Sequence, residues 1–174
     1  MWRPPSTPVI EAGVARRAFV GLGSNLGDPR RQVELAFDEL AALASTRLVA
    51  RSSSYRSAPW GVTEQPAFVN AVAELATHLP PRELLHALLA IERRHGRVRD
   101  GSRWGPRTLD LDLLACGDLR IDEPGLVLPH PQVARRAFVL VPLAELAPDF
   151  VVAGAGRVRD LLAAVDAGEV ARLD

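Results

Sequence analysis

The chain has 174 residues, 48% apolar and 24% charged, the balance of one globular domain long enough to bury a core. Its 21 basic residues match 21 acidic ones, so no global field argues for a nucleic-acid or anionic-membrane partner. One cysteine, Cys116, excludes an internal disulfide, and the absence of any signal-like or membrane-length apolar run predicts a cytoplasmic protein without a membrane partner.

Residues 1–14 are Pro-rich and aperiodic and read as a flexible leader ahead of a single domain, 15–174. The segment 16–23, RRAFVGLG, predicts a strand. Asn25 or Asp28 can cap the helix that follows, with Pro29 in its first turn. Val33, Phe37, Leu40 and Leu43 recur at helical spacing and carry that helix to about Ala44. STRLVARSSSYRS (45–57) reads as one long strand, and the turn-rich APWGVTEQP follows it. In the strand 67–79, Phe68, Asn70, Val72 and Glu74 share one face, and Val69, Ala71, Ala73 and Leu75 the other. Pro80 and Pro81 open a second helix to about Arg94, buried through Leu84, Leu85, Leu88 and Ile91, with Gly96 at its end. Beyond the next strand come a turn at 116–120, an apolar element over 137–146 and an amphipathic helix near 158–165.

The order strand–helix–strand–strand–helix–strand predicts an α+β fold, a ferredoxin-like βαββαβ core. Its sheet is antiparallel with helices on one face, which leaves the other face for a site.

The stretch RWGPRTLDLDLL (103–114) carries the strongest chemical signal. Leu109, Leu111 and Leu113 alternate onto one strand face, so Asp110 and Asp112 share the opposite face and require positive charge between them. Six arginines (Arg93, Arg94, Arg97, Arg99, Arg103, Arg107) precede the pair, with Trp104 and three glycines among them. Carboxylates at i and i+2 suit Mg²⁺, whose remaining positions go to water or substrate phosphates. Guanidiniums opposite them match phosphate oxygens, so the combination predicts a clamp for a polyphosphate, with the Gly-punctuated loop closing over it.

Two other features read as structural. GLGSNLG (21–27) lacks the spacing of a dinucleotide fingerprint and the ending of a P-loop, and is expected to be a tight strand-to-helix turn. His78, His86 and His95 lack metal-ligand spacing and are expected at the surface or an interface. His130 sits between two prolines that fix its backbone.

The stretches GLGSNLGD, PAFVNAV, GRVRDGSRWGPRTLDLDLL and LPHPQVARRAFVLVPL resemble, in order from Phe19 to Asp149, the 6-hydroxymethyl-7,8-dihydropterin pyrophosphokinases of folate biosynthesis. The resemblance implies attack of the pterin hydroxymethyl group on the β-phosphorus of MgATP, giving the pterin pyrophosphate and AMP. It implies that Asp110 and Asp112 hold Mg²⁺, two ions being expected with ATP, and that Asp110 also helps orient or deprotonate the hydroxyl. Arg97 and Arg107 resemble arginines that position the reacting phosphates. Arg99, Arg103 and Trp104 match a mobile loop, Arg103 on ATP and Trp104 sealing the pterin pocket, while Glu92, His130 and Arg136 match nucleotide-binding positions. Phe68 and Phe138 match the two rings that stack on the pterin, and Asn70 the amide that reads its edge. Ser57, Ala58 and Trp60 correspond to a segment contacting it partly through backbone groups. Phe68 stands where many members have tyrosine, and Ala58 replaces a proline. A monomer is expected, with ATP and the pterin as its partners.

Two alternatives remain at this level. A two-metal nuclease or nucleotidyltransferase shares the D-x-D pair, and an RRM-like RNA-binding module shares the topology. Zero net charge and the missing strand aromatics weigh against both.

Overall fold

The computed structural model describes residues 13–59, 64–97 and 108–174. Strand β1 (Arg16–Ser24) runs through the middle of the sheet. Helix α1 (Pro29–Ala41) starts at Asp28, whose carboxylate accepts the Arg31 N–H at 3.1 Å, and buries Val33, Ala36, Phe37 and Leu40. It stops short of Ala44, because Ser45 turns into a left-handed conformation (φ 54°) that feeds the next strand.

The segment 45–57 forms two strands rather than one: β2 (Thr46–Arg51) and β3 (Tyr55–Ser57). Both pair antiparallel with β4 (Phe68–Thr77), β2 with its C-terminal half and β3 with its N-terminal half. The break falls on the three serines between them. Ser52 N–H donates to Val72 O at 2.9 Å while its hydroxyl accepts the Val72 N–H at 2.8 Å, taking the place of a ladder carbonyl.

Helix α2 (Pro81–Arg94) matches the sequence reading at both ends and is followed by Gly96 at φ +77°. Strand β5 (Asp110–Cys116) pairs antiparallel with β1 on the side away from β4. A hairpin of β6 (Ile121–Glu123) and β7 (Leu126–Leu128) leads to α3 (Ala137–Leu146). Then come the short pair β8 (Val151–Val152) and β9 (Gly156–Arg157), helix α4 (Val158–Ala163) and β10 (Ala171–Arg172), which adds to the outer side of β3. The main sheet is therefore six-stranded and antiparallel, in a mixed α/β architecture. Among the described residues no helix is long and apolar enough to cross a membrane.

Helices cover both faces of this sheet, not one. On the first, Ala18, Val20 and Leu22 of β1 join Ala71, Ala73, Leu75, Leu111 and Leu113 under α1 and α2. On the second, Phe19, Val72 and Leu114 pack against Val139 and Leu143 of α3 and Val158 of α4. Leu114 reaches that face by the same alternation that places Asp110 and Asp112 there; the β1–β5 register then slips by one residue between Phe19 and Val20, a bulge that sets Ala115 opposite Phe19 and returns Cys116 to the first core. Cys116 is buried, and burial pushes its thiol pKa up. His78 and His86 are exposed. His95 departs from the surface reading: its ring is turned inward, 2.6 Å from both Gln32 Oε1 and Glu39 Oε1, and ties α2 to α1.

Candidate active site

The second face is open at the end where β1 changes from Phe19 to Gly21 and Gly23. The register places Gly23 between Asn70 of β4 and Asp110 of β5, and Gly21 between Val72 and Asp112. Directly paired residues share a face, so an amide and two carboxylates stand across a floor that has no side chains. Both glycines thus belong to the strand; only Gly27, at φ +67°, lies in the turn that the sequence reading assigned to the whole motif. A Cβ on Gly23 would sit 3.1 Å from Asn70 Oδ1, and one on Gly21 3.4 Å from Leu114. The floor is bare because its neighbours fill that space.

Phe68 stands two residues before Asn70 on the same face of β4, and Phe138 projects from the first turn of α3. With Gly21, Gly23, Ser57, Ala58, Asn70, Asp110, Asp112 and Arg136 they line one open pocket of about 620 Å³. Asn70 is buried, and its Nδ2 donates to Ser57 Oγ at 2.6 Å. That bond fixes which way the amide points, since β3 holds Ser57 opposite Phe68.

The charge that tolerates the aspartate pair is arginine. Arg97 bridges Asp110, with which it makes a close ion pair, and Glu92, at 3.1 Å; it also donates to Leu109 O at 3.3 Å. Burial works against the Arg97 charge, and the carboxylates of Asp110, Glu92 and Asp112 more than offset it, so its pKa is raised. Glu92 is only 2% exposed, and its carboxylate also accepts the Leu111 N–H at 2.9 Å, which locks α2 to β5 beside the pair. Arg136 approaches Asp112 at 3.8 Å and lies 5.6 Å from the Phe138 ring centroid. Its Nε is buried with no hydrogen-bond partner among the described residues.

His130 does not line this pocket but another, with Arg120 and Val133. Its Nδ1 accepts the Gln132 N–H at 3.1 Å, so the ring proton resides on Nε2. Burial, then the Arg136 charge, lowers its pKa below 6.5 against the pull of Asp110, and the ring is neutral at pH 7. Asp110 and Asp112 supply two hard oxygen donors on one strand face, and among the described residues no third His, Cys, Asp or Glu joins them into a metal cluster. That donor set fits Mg²⁺ completed by water and phosphate oxygens.

The model of the family 7,8-dihydro-6-hydroxymethylpterin-pyrophosphokinase matches residues 19–148. A 2-amino-4-hydroxy-6-hydroxymethyldihydropteridine pyrophosphokinase of Pseudomonas aeruginosa is 51% identical over 158 residues, 91% of this chain and 97% of that one. Its counterpart in Methylorubrum extorquens is 48% identical, over 91% and 99% of the two chains. The chain belongs to this family. Among solved structures it is similar to an HPPK-DHPS in complex with substrates (TM-score 0.70, 10% identity, 87% of this chain). A Plasmodium falciparum HPPK-DHPS with pteroate gives a TM-score of 0.67 at 12% identity over 91% of this chain. At such identity these two speak to the fold alone, and this chain spans 43% and 45% of theirs.

Of the residues that the pyrophosphokinase resemblance singled out, Ser57, Ala58, Phe68, Asn70, Asp110, Asp112, Arg136 and Phe138 come together around one pocket. Arg97 reaches it through Asp110. Glu92 stands behind Arg97, its carboxylate accepting from that guanidinium and from the Leu111 N–H. Trp60, Arg99, Arg103, Trp104 and Arg107 lie outside the described residues, as does most of the loop read as a lid and most of the leader. Sequence reasoning missed the glycine floor. The signal was present: G-x-G in the alternation of a strand, on the face opposite Leu22, marks two positions where a flat ligand can lie against the backbone.

Proposed function

We propose that the chain transfers pyrophosphate from MgATP to the hydroxymethyl group of 6-hydroxymethyl-7,8-dihydropterin, the reaction of its pyrophosphokinase family in folate biosynthesis. The observation that carries this reading is the row Asn70–Gly23–Asp110 under Phe68 and Phe138. A flat heterocycle needs two apolar walls and an edge reader, and the hydroxyl it presents must end beside the carboxylates.

In this reading Phe68 and Phe138 sandwich the pterin, Asn70 reads its edge with Ser57 holding the amide, and backbone groups near Ala58 and Trp60 complete the contact. The hydroxyl oxygen bonds to the β-phosphorus, the bond from that phosphorus to the α–β bridging oxygen breaks, and AMP leaves with the bridging oxygen. Asp110 orients the hydroxyl and takes its proton. Asp110 and Asp112 would hold two Mg²⁺ ions, which supply neutralisation of phosphate charge when bound. Arg97, Arg107 and Arg136 face the phosphates. Arg99, Arg103 and His130 bind the nucleotide, Trp104 closes the pocket, and Glu92 serves ATP by fixing Arg97. The fold is read as ferredoxin-like βαββαβ, with β2 and β3 counted as one interrupted strand. The enzyme works as a cytoplasmic monomer with no nucleic-acid partner.

With ATP, Mg²⁺ and the hydroxymethyl pterin, chromatography of the nucleotides should give AMP, formed only when the pterin is present. ADP as the sole product overturns the reading, and pterin-independent cleavage or extension of an oligonucleotide returns the two-metal nuclease or nucleotidyltransferase. Gly23→Ala tests the floor. The new methyl group pushes on Asn70 Oδ1, so the KM for the pterin should rise about tenfold while that for ATP stays within about twofold.

A further inference from the structure

The two sides of the pocket come from elements far apart in sequence, and one carboxylate joins them. Ser57 ends β3 with Ala58 just beyond it, and Phe138 is in the first turn of α3. Glu145 follows Phe138 by seven residues, two helical turns along the same side of α3. Its carboxylate accepts the Ser53 N–H at 3.0 and 3.1 Å, the Ser53 hydroxyl at 2.9 Å and the Tyr55 hydroxyl at 2.6 Å. The Ser53 donors lie in the serine break between β2 and β3, and the Tyr55 hydroxyl comes from the first residue of β3. Tyr55 is buried in β3, two residues before the serine that orients Asn70.

Both partners are held in the required protonation states. Burial raises the Glu145 pKa, and the Tyr55 and Ser53 donors outweigh it, so the pKa is lowered and the carboxylate stays charged. Burial, followed by the Glu145 carboxylate, pushes the Tyr55 phenol up to about 12, so it remains a donor at neutral pH. Arg172 of β10, opposite Tyr55, adds a favourable charge to the carboxylate.

We propose that Glu145, acting with Tyr55 and Ser53, is a positioning residue that sets the distance between the α3 wall and the β3 wall of the pocket and so determines affinity for the flat heterocycle. It touches no substrate, and its bonds end on Ser53 and Tyr55 rather than on Arg97, Asp110 or Asp112. The proposal rests on the pterin reading above.

The test measures binding of the hydroxymethyl pterin, by fluorescence in the presence of a non-hydrolysable MgATP analogue, and of the analogue itself, for Glu145→Ala, Tyr55→Phe and the double variant. Melting temperatures identify conditions where each is folded. Glu145→Ala should weaken the pterin about tenfold and Tyr55→Phe by less, with the analogue within about twofold of the parent. The double variant should be no worse than Glu145→Ala, because the two changes remove a shared bond. Unchanged pterin affinity in folded Glu145→Ala overturns the proposal, as does equal weakening of both ligands. If Glu145→Ala does not fold, Tyr55→Phe alone decides by the same two affinities. Failure of the parent to bind the pterin sinks the underlying functional reading instead.

Discussion

Asp112→Ala should lower the rate of AMP formation by about 10³-fold or more, with the melting temperature close to the parent's. Asp112 is on the open side of β5, its side chain 32% exposed, and its neighbours Leu111 and Leu113 carry the packing of that strand on the other face. Removing the carboxylate takes no atom from either core. It does remove one of the two hard oxygen donors and leaves Arg136, 3.8 Å away, without that counterion. Reaction chemistry should therefore suffer where folding does not. Single-turnover measurement with saturating pterin and ATP, beside a thermal melt, separates the two. An unchanged rate would remove Asp112 from the mechanism.

Arg97→Ala should damage both. Its guanidinium sits between Asp110 and Glu92, with only 13% of the Arg97 side chain and 2% of the Glu92 side chain exposed. Deleting one member of such a buried pair costs about 3–5 kcal/mol of stability. The rate should fall about 10²-fold or more through lost electrostatic stabilisation at the phosphates. Adding Glu92→Gln to Arg97→Ala discriminates the two effects. The amide oxygen still accepts the Leu111 N–H while the buried negative charge that faced Arg97 is gone, so denaturant melts should recover most of the stability. AMP formation should stay slow. Recovery of both together would mean that Arg97 matters to the fold only.

These expectations rest on residues that differ in how far sequence reasoning reaches them. The alternation of LDLDL separates three buried leucines from two carboxylates by backbone geometry alone, and Phe68 and Asn70 share a face for the same reason. Helix α2 could be delimited because Pro81 and Gly96 act on their own local conformation. Motifs specific enough to name the pyrophosphokinase family needed no coordinates either.

What opposes what across the sheet was a matter for the tertiary structure. Gly21 and Gly23 read as a strand end running into a turn in one dimension and become a floor only when β4 and β5 dock on either side of them. The burial of Cys116 in the first core follows from a one-residue bulge in β5 that turns Ala115 and Cys116 over, a slip that no periodicity announces. Glu92 reads as one more charge at the end of a helix until Leu111 N–H and Arg97 are brought to it, and Glu145 likewise until the serine break arrives. Period and capping are local properties of a chain, whereas register and burial depend on segments many residues apart. The sequence alone thus determined which residue types face together on each strand and which chemistry they suit. Only packing decided which of them meet, and with which counterions.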